Sequence, residues 1–349
     1  MSQPFELPPL FESYLQKRLL VAGHSLKEPE KLAHAIRKLS NLFLKGEELG
    51  DYWKDSDHRA AYISYFSVLN FLRARAVFEE SRRRGFLEST KVLADWGCGV
   101  GAATWAFLAE SRGAESLPQV QGYDQSSAAL SEYKEWLNLF EIKSKVEQLA
   151  LRDLSKANAD TVVMSYILNE VDQWPAIPDF IHRLVIIEPS THQAGRRLLK
   201  WREELLASGQ WYAWAPCTHQ RDCPLLIQSG KDWCHHRIHW NKPDWFYEIE
   251  KYLPMKNETL TLTYLLLARE KPKQNLEGLA RVVGDEQEEK GKTRQMVCRG
   301  PGREFLSWLH RDQISLKLKR GDLIEIGDTD PKGNELRVLL SENIRKVKV

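Results

Sequence analysis

The stretch VLADWGCGVGAATWAFLAES constrains the fold of this chain more than any other. A short apolar run leads into Gly97, Gly99 and Gly101, and an apolar helical pattern follows. That order reads as strand, tight turn, helix. Glycines at such a turn let the backbone approach a ligand closely and adopt conformations that side chains forbid. The helix after it offers unpaired amide N–H groups and a positive dipole end. Further on, QGYDQSS places Asp124 at the end of the next apolar run, where a carboxylate can accept hydrogen bonds from two ribose hydroxyls.

The spacing is Gly-x-Gly-x-Gly with Asp95 two residues before the first glycine, which departs from the Gly-x-Gly-x-x-Gly dinucleotide fingerprint. It resembles the first two motifs of the Rossmann-like S-adenosylmethionine methyltransferases. The resemblance implies that Asp95 lies near the methionine moiety of the cofactor, that Gly97, Gly99 and Gly101 approach it, and that Asp124 holds its ribose. It also implies that SYILNE, from Ser165 to Glu170, walls the adenine and the transferring methyl group. No Asn/Asp-Pro-Pro-Tyr follows the fourth apolar run, and no cytosine-5-type cysteine nucleophile stands out, so the catalytic residues are not identified. Methyl transfer needs mainly in-line positioning; the missing base leaves the acceptor unnamed and leaves open a site that binds without turnover.

Around this unit the pattern is that of an α/β chain. Residues 10 to 86 show helical spacing, with Tyr62, Phe66, Leu69 and Leu72 on one face and Gly85 as the stop. Lys91–Trp96, Val120–Tyr123, Thr161–Ser165 and Leu184–Glu188 read as buried strands, with Val146–Leu151 as a weaker one. Helical stretches between them predict a mainly parallel sheet. Leu260–Ala268 closes that sheet as a late strand. A charged stretch after Arg269 reads as partly linker. In the tail, ISLKLKRGDLIEIGD alternates around a turn at Arg320–Asp322, and NELRVLL follows the Pro331–Gly333 turn. The expected organisation is an N-terminal helical region over 1–88 and a Rossmann-like class I methyltransferase core over 89–270. A Cys/His-rich metal-binding insertion falls at 211–245 of that core, and a linker with a small C-terminal β-barrel-like domain covers 271–349.

Composition narrows the class. Hydrophobic residues make up 42% of the 349 and charged residues 28%, enough for a sizeable core and unlike a disordered chain. No apolar run is long enough for a membrane span, and the start MSQPFELPPLFESY has neither signal-peptide nor transit-peptide character. The expectation is a soluble cytoplasmic protein. Its five cysteines are unevenly placed. Cys98 stands in the glycine turn, Cys217, Cys223 and Cys234 cluster, and Cys298 lies far downstream. In a reducing compartment, clustered thiols point to metal or redox chemistry. Thiolates suit iron–sulfur clusters or zinc equally well. His219, His235, His236 and His239 lie in the same stretch and could replace a thiol at a zinc site. The absence of a Cys-x-x-x-Cys-x-x-Cys triplet sets aside radical chemistry on S-adenosylmethionine.

The segments IIEPSTHQAGRRLLKWREELL, APCTHQRDCP and DWCHH are specific. From the glycine turn through Cys298, the chain resembles the mitochondrial small-ribosomal-subunit methyltransferase-like family, here as a bacterial member. That family carries a motif of the form Ala-Pro-Cys-x-His…Cys-Pro…Asp-Trp-Cys-His. His236 departs from it, standing where the family often has Phe. The resemblance implies a 4Fe–4S cluster on Cys217, Cys223, Cys234 and Cys298 and a role on the small ribosomal subunit or its rRNA during assembly or translation.

Local charge fits an RNA partner. Between Lys290 and Arg320 nine Lys/Arg face two Asp/Glu, although the whole chain is nearly neutral at +2. Arg82–Arg84 and the group Arg196, Arg197, Lys200 and Arg202 are further basic clusters, and phosphate backbones reward such clusters. Trp308 is a candidate for stacking on an unpaired base. Neither a membrane nor DNA is expected as partner. Three functions follow: an S-adenosylmethionine-dependent methyltransferase with a structural 4Fe–4S cluster, a non-catalytic ribosome assembly factor of the same fold, or a zinc-containing methyltransferase of a non-RNA substrate.

Overall fold

The computed structural model describes residues 4–45, 51–111, 117–138, 144–148, 153–168, 174–300 and 302–347. The helical spacing of the first third resolves into α1 (Pro9–Val21), α2 (Pro29–Lys45), α3 (Ser56–Ala61) and α4 (Ser67–Arg83). Asp55 starts α3 by accepting from the backbone N–H groups of Asp57 and His58 at 2.8 and 3.1 Å, satisfying donors that a helix start leaves unpaired. Between α3 and α4 one π-helical turn covers Tyr62–Phe66. There Ser64 and Ser67 donate back to the carbonyls of Ala60 and Ile63, both at 2.7 Å. Gly85, at φ +64°, ends α4: its N–H reaches the Arg82 carbonyl and that of Phe86 the Ser81 carbonyl. This is the paired closure that only a left-handed residue permits cheaply.

The first of two eight-stranded sheets contains β1 (Val92–Trp96), β2 (Gln119–Asp124), β3 (Ser144–Gln148), β4 (Thr161–Ser165), β5 (Arg183–Glu188), β6 (Tyr212–Ala215), β7 (His236–His239) and β8 (Thr259–Ala268). Its order is β3-β2-β1-β4-β5-β8-β6, with β7 beside β8. Strands β1 to β4 pair in parallel, whereas β8 is antiparallel to both β5 and β6. This is a Rossmann-like, mainly parallel α/β core of the kind expected from the glycine turn. Two strands, Tyr212–Ala215 and His236–His239, were not anticipated; both lie in the stretch expected to be an insertion. Tyr212–Ala215 belongs to the sheet, so the stretch from Trp211 begins as core strand and becomes a loop only at Pro216. Four residues with two alanines carry little alternation; pairing with β8 makes them a strand.

The chain divides into two compact units. One comprises Met1–Glu79, Thr90–Ile181 and Ile238–Leu260; the other comprises Glu80–Ser89, His182–Arg237 and Thr261–Val349. The first holds α5 (Ala102–Glu110) and α6 (Ser127–Asn138) and an aromatic core. There Phe11 meets Phe71, Trp105 and Trp136 at ring-centroid distances of 4.6, 4.9 and 4.8 Å. It also holds a short helix, which becomes α9 in chain order (Asp244–Glu250) after α7 (His192–Ala207) and α8 (Pro224–Ile227) of the second unit.

The second unit carries a second sheet, formed by the C-terminal part of the chain. Its strands are β9 (Leu279–Val282), β10 (Gln287–Glu289), β11 (Lys292–Arg299), β12 (Gly302–Leu309), β13 (Leu323–Ile326), β14 (Thr329–Lys332), β15 (Glu335–Val338) and β16 (Ile344–Lys346). They run β14-β15-β12-β11-β9-β13-β16, with β10 beside β11. Of the expected alternating hairpin, only Leu323–Ile326 is strand; the preceding Ile314–Lys319 is irregular, and Lys317 has φ +46°. Val282, Val297, Leu306, Ile324 and Val338 form the core, and Trp308 joins them at 4% exposure. Its indole is therefore spent on packing and is not free to stack on a base. Among the described residues, no helix is long and apolar enough to cross a membrane.

Candidate functional site

Two sites deserve description, one in each unit. In the first, β1 lies between β2 and β4, with Asp95 level with Gly122 on one side and Val163 on the other. Ligands of open α/β sheets bind beyond the carboxyl ends of strands at such a divide. Gly97, Gly99 and Gly101 all take left-handed backbone angles, at φ +76°, +52° and +89°. Two of them are also sterically obligatory. A Cβ on Gly97 would lie 2.1 Å from Ile167 Cδ1, and one on Gly101 would lie 2.5 Å from Tyr133 Cδ2. Gly99 faces the Trp53 ring and the Tyr62 hydroxyl, each 3.6 Å from where its Cβ would be.

The two acids are held differently. Asp95 is 1% exposed. Its Oδ2 accepts from the Thr104 hydroxyl at 2.7 Å and the Thr104 N–H at 3.2 Å. Its Oδ1 is buried with no hydrogen-bond partner among the described residues. Burial, with a smaller contribution from the Asp124 charge, pushes the Asp95 carboxyl up to about 6. Asp124 accepts from the Gly99 N–H at 2.9 Å and the Ser126 N–H at 2.8 Å, one on each oxygen. Burial raises its carboxyl as well. Ser126 in turn donates to Asp51 at 2.8 Å. Ser165 is half-buried at the end of β4, and Tyr166 after it has φ +62°. Asn169 and Glu170 of the same motif lie outside the described residues.

An orphaned buried carboxylate oxygen is costly unless something fills its place. Together with a glycine cradle, that oxygen fits a ligand bearing an ammonium group and a sugar, as S-adenosylmethionine does. Asp51, Trp53, Tyr62 and Thr104 border this site and were not foreseen. Nothing in the spacing of the first three marks them, because they come from the N-terminal helical region, whose pattern reports only packing; Thr104 lies in α5 after the glycine turn, where it reads as an ordinary helix residue.

The second site gathers the four cysteines expected to act together. Cys217, Cys223, Cys234 and Cys298 all line one cavity, with Arg202 and Arg281 beside them. Cys217 follows β6 after a cis Ala215–Pro216 peptide. Cys223 precedes Pro224, the first residue of α8. Cys234 follows Trp233, whose ring lies so close to Gly195 of α7 that a Cβ there would be 2.5 Å from Cδ1. Cys298 is in β11, in register with Arg281 of β9. Burial pushes the Cys223 thiol up to about 11, helped by Cys217. Cys234 and Cys298 rise for the same reason, and the charges of the other cysteines raise both further. Cys98, also buried, is in the other unit and takes no part.

Three arginines hold the loops of this site. The fully buried Arg202 donates through Nε to Cys217 Sγ at 3.2 Å and through Nη2 to the carbonyls of His219 and Arg221 at 3.1 and 3.0 Å. Arg281 donates to the carbonyls of Pro216 and Gly321 at 3.0 and 2.8 Å and pairs with Glu80 at 2.9 Å. Arg196 binds the carbonyls of Leu225, Leu226, Ser229 and Asp232. Of the four histidines in this stretch, His219 lines the cavity. Burial and Arg202 lower its imidazole to about 4, so it is neutral at physiological pH, and its Nδ1 has no partner among the described residues. His236 packs against Tyr264. The described residues contain no group of three or more His, Cys, Asp or Glu side chains that could hold a metal ion.

The basic clusters turn out to be largely occupied. Arg196 and Arg202 serve the cysteine loops rather than a surface. Arg84 is buried and paired with Glu80 at 3.0 Å. Within 290–320, Lys292, Arg294, Arg299, Arg303 and Arg320 pair with Glu335, Glu289, Glu304, Asp232 and Asp285. Most of those carboxylates lie outside the window that made the stretch look basic, so folding neutralises much of the excess.

A family model described as the mitochondrial small ribosomal subunit Rsm22 matches residues 60–322. No curated protein sequence matches the chain. Several solved structures are similar at low identity. The 16S rRNA methylase ArmA is 14% identical over 62% of this chain and 95% of its own, with a TM-score of 0.30. The RNA methyltransferase candidate PH1948 of Pyrococcus horikoshii is 14% identical over 56% and 83%, with a TM-score of 0.31. A methyltransferase from Geobacter sulfurreducens is 13% identical over 40% and 70%, with a TM-score of 0.27.

Proposed function

The chain belongs to the family of the mitochondrial small ribosomal subunit protein Rsm22, and from that premise we propose an S-adenosylmethionine-binding, methyltransferase-like protein that carries a 4Fe–4S cluster and acts on or binds small-subunit rRNA. Asp95, Gly97, Gly99, Gly101, Asp124 and Ser165 hold the cofactor; Cys217, Cys223, Cys234 and Cys298 hold the cluster. The observation that carries this reading is that Cys298, remote in sequence, lines the same cavity as the other three cysteines. Four soft donors around one space, with two guanidinium groups beside them, suit a group of net negative charge.

S-adenosylmethionine supplies an electrophilic methyl group; the protein supplies placement. Asp95, whose Oδ1 is otherwise unpartnered among the described residues, would accept from the ammonium of the methionine moiety, and Asp124 would accept from the ribose hydroxyls. The glycine turn would let the cofactor approach the main chain, and Trp53 and Tyr62 border Gly99. Methyl transfer needs mainly in-line positioning of donor and acceptor, which these side chains would supply. The cluster is structural: it ties the loops after β6 to β11 within the second unit.

The alternative with an observation behind it is zinc. His219, neutral and with an unpartnered Nδ1, lines the cavity and could take one coordination position. Anaerobic purification followed by iron, sulfide and zinc analysis separates the two. About four irons per chain, the content of a four-cysteine cubane, supports the cluster; one zinc without iron replaces it with an ordinary structural site. Incubation with labelled S-adenosylmethionine and immature small subunits then separates an enzyme from a silent assembly factor. Label in rRNA establishes transfer, whereas subunit binding without label establishes the silent form.

A further inference from the structure

The buried Arg202 satisfies more than a loop. It sits on α7, in a run of basic residues that would be expected to face solvent, yet it is fully buried. Its Nε points at a sulfur while its other amine takes two carbonyls of the loop between Cys217 and Cys223. Glu203 also contacts it, from the neighbouring position on the same helix. Burying a guanidinium is expensive and tolerated where an opposite charge faces it. Glu203 supplies one such charge; among the partners that line the cysteine cavity or its loop, Cys217 is the one that a loop-bracing role does not require.

We infer that Arg202 is a positioning residue for whatever group the four cysteines hold: its N–H bond to Cys217 and its positive charge stabilise electron density on the sulfurs. The inference rests on the cluster reading above. Hydrogen bonds and positive charge at cysteine sulfurs raise the reduction potential of an iron–sulfur group, and partners of metal ligands tune affinity. Arg196 is the internal control, since it braces the stretch between Cys223 and Cys234 through carbonyls alone.

The full-length protein is purified anaerobically as wild type, Arg202→Gln, Arg202→Lys and Arg196→Met. Iron content, the rate of iron release to a chelator and the midpoint potential of the bound group are measured for each. Arg202→Gln is expected to release iron about tenfold faster or more and to shift the midpoint to more negative potential. Arg196→Met is expected to lower the melting temperature without moving the midpoint. A midpoint and release rate in Arg202→Gln equal to those of wild type would overturn the inference. If Arg202→Gln does not fold, Arg202→Lys decides. It keeps the charge but not the fork of donors, and faster release than wild type supports the role while an equal rate rejects it. Wild-type protein that holds no iron is a different failure, because it removes the cluster reading on which the inference stands.

Discussion

Asp95 is the residue at which structure and ligand chemistry are most tightly linked. Its carboxyl titrates near 3.8 in an unfolded chain and near 6 when folded and unliganded. The neutral form is thus favoured in the fold. As pH rises from about 4 to about 6 the folded protein must carry a buried charge, and this group subtracts stability on the order of 3 kcal/mol, levelling off above that range. Replacing it with Asn removes the penalty. The unliganded Asp95→Asn variant should melt higher than wild type near neutral pH and bind S-adenosylmethionine more weakly, by thermal melts and titration calorimetry. A cationic ligand beside Oδ1 also favours the charged form, so binding near pH 6 should release protons. Calorimetry in buffers of different ionisation enthalpy reads that release, and none would show that the ammonium does not meet Asp95. Gly97 offers a second test: alanine there combines a forbidden backbone angle with a 2.1 Å approach to Ile167. Binding should be lost and the fold destabilised by about 1–3 kcal/mol.

At the scale of elements, helix α7 organises the cysteine loops from one face. Gly195 leaves room for Trp233, Arg196 ties four carbonyls, and Arg202 reaches Cys217. Gly195→Ala should displace Trp233 and with it Cys234, lowering the melting temperature and the metal content together; a normal metal content would detach Trp233 from the site. What the sequence disclosed at this scale follows from how each signal is encoded. The strand–glycine–helix unit and the parallel strands were legible because local spacing carries them; the motif marked only Cys217, Cys223 and Cys234, and that Cys298 lines the same cavity is a tertiary fact. Strand β6 was not, since its identity depends on pairing with β8. Arg202 and Trp308 were misread because composition reports charge and aromaticity, and burial is decided by partners far along the chain. Residues 51–62 were missed at the cofactor site for the same reason: their contacts with Gly99 and Ser126 are tertiary.

At the scale of the whole molecule, the two proposed sites fall in separate compact units. Their losses should therefore be separable. Cys223→Ser should abolish metal content and lower the melting temperature of the second unit, because a group held by four ligands contributes its binding free energy to folding. Hydrogen exchange would show protection lost first at residues 216–236 and in β11, while β1 and α5 keep theirs; uniform loss would mean that the units do not act separately. The position of Cys298 in β11 has one more consequence, for the order of events during synthesis. Three donors leave the ribosome together, and the fourth follows only after β8, β9 and β10 have been made. A nascent chain halted short of that strand holds an incomplete set. If the four cysteines hold one group, its loading would work as a checkpoint on length, passed only by chains whose C-terminal sheet has begun to form.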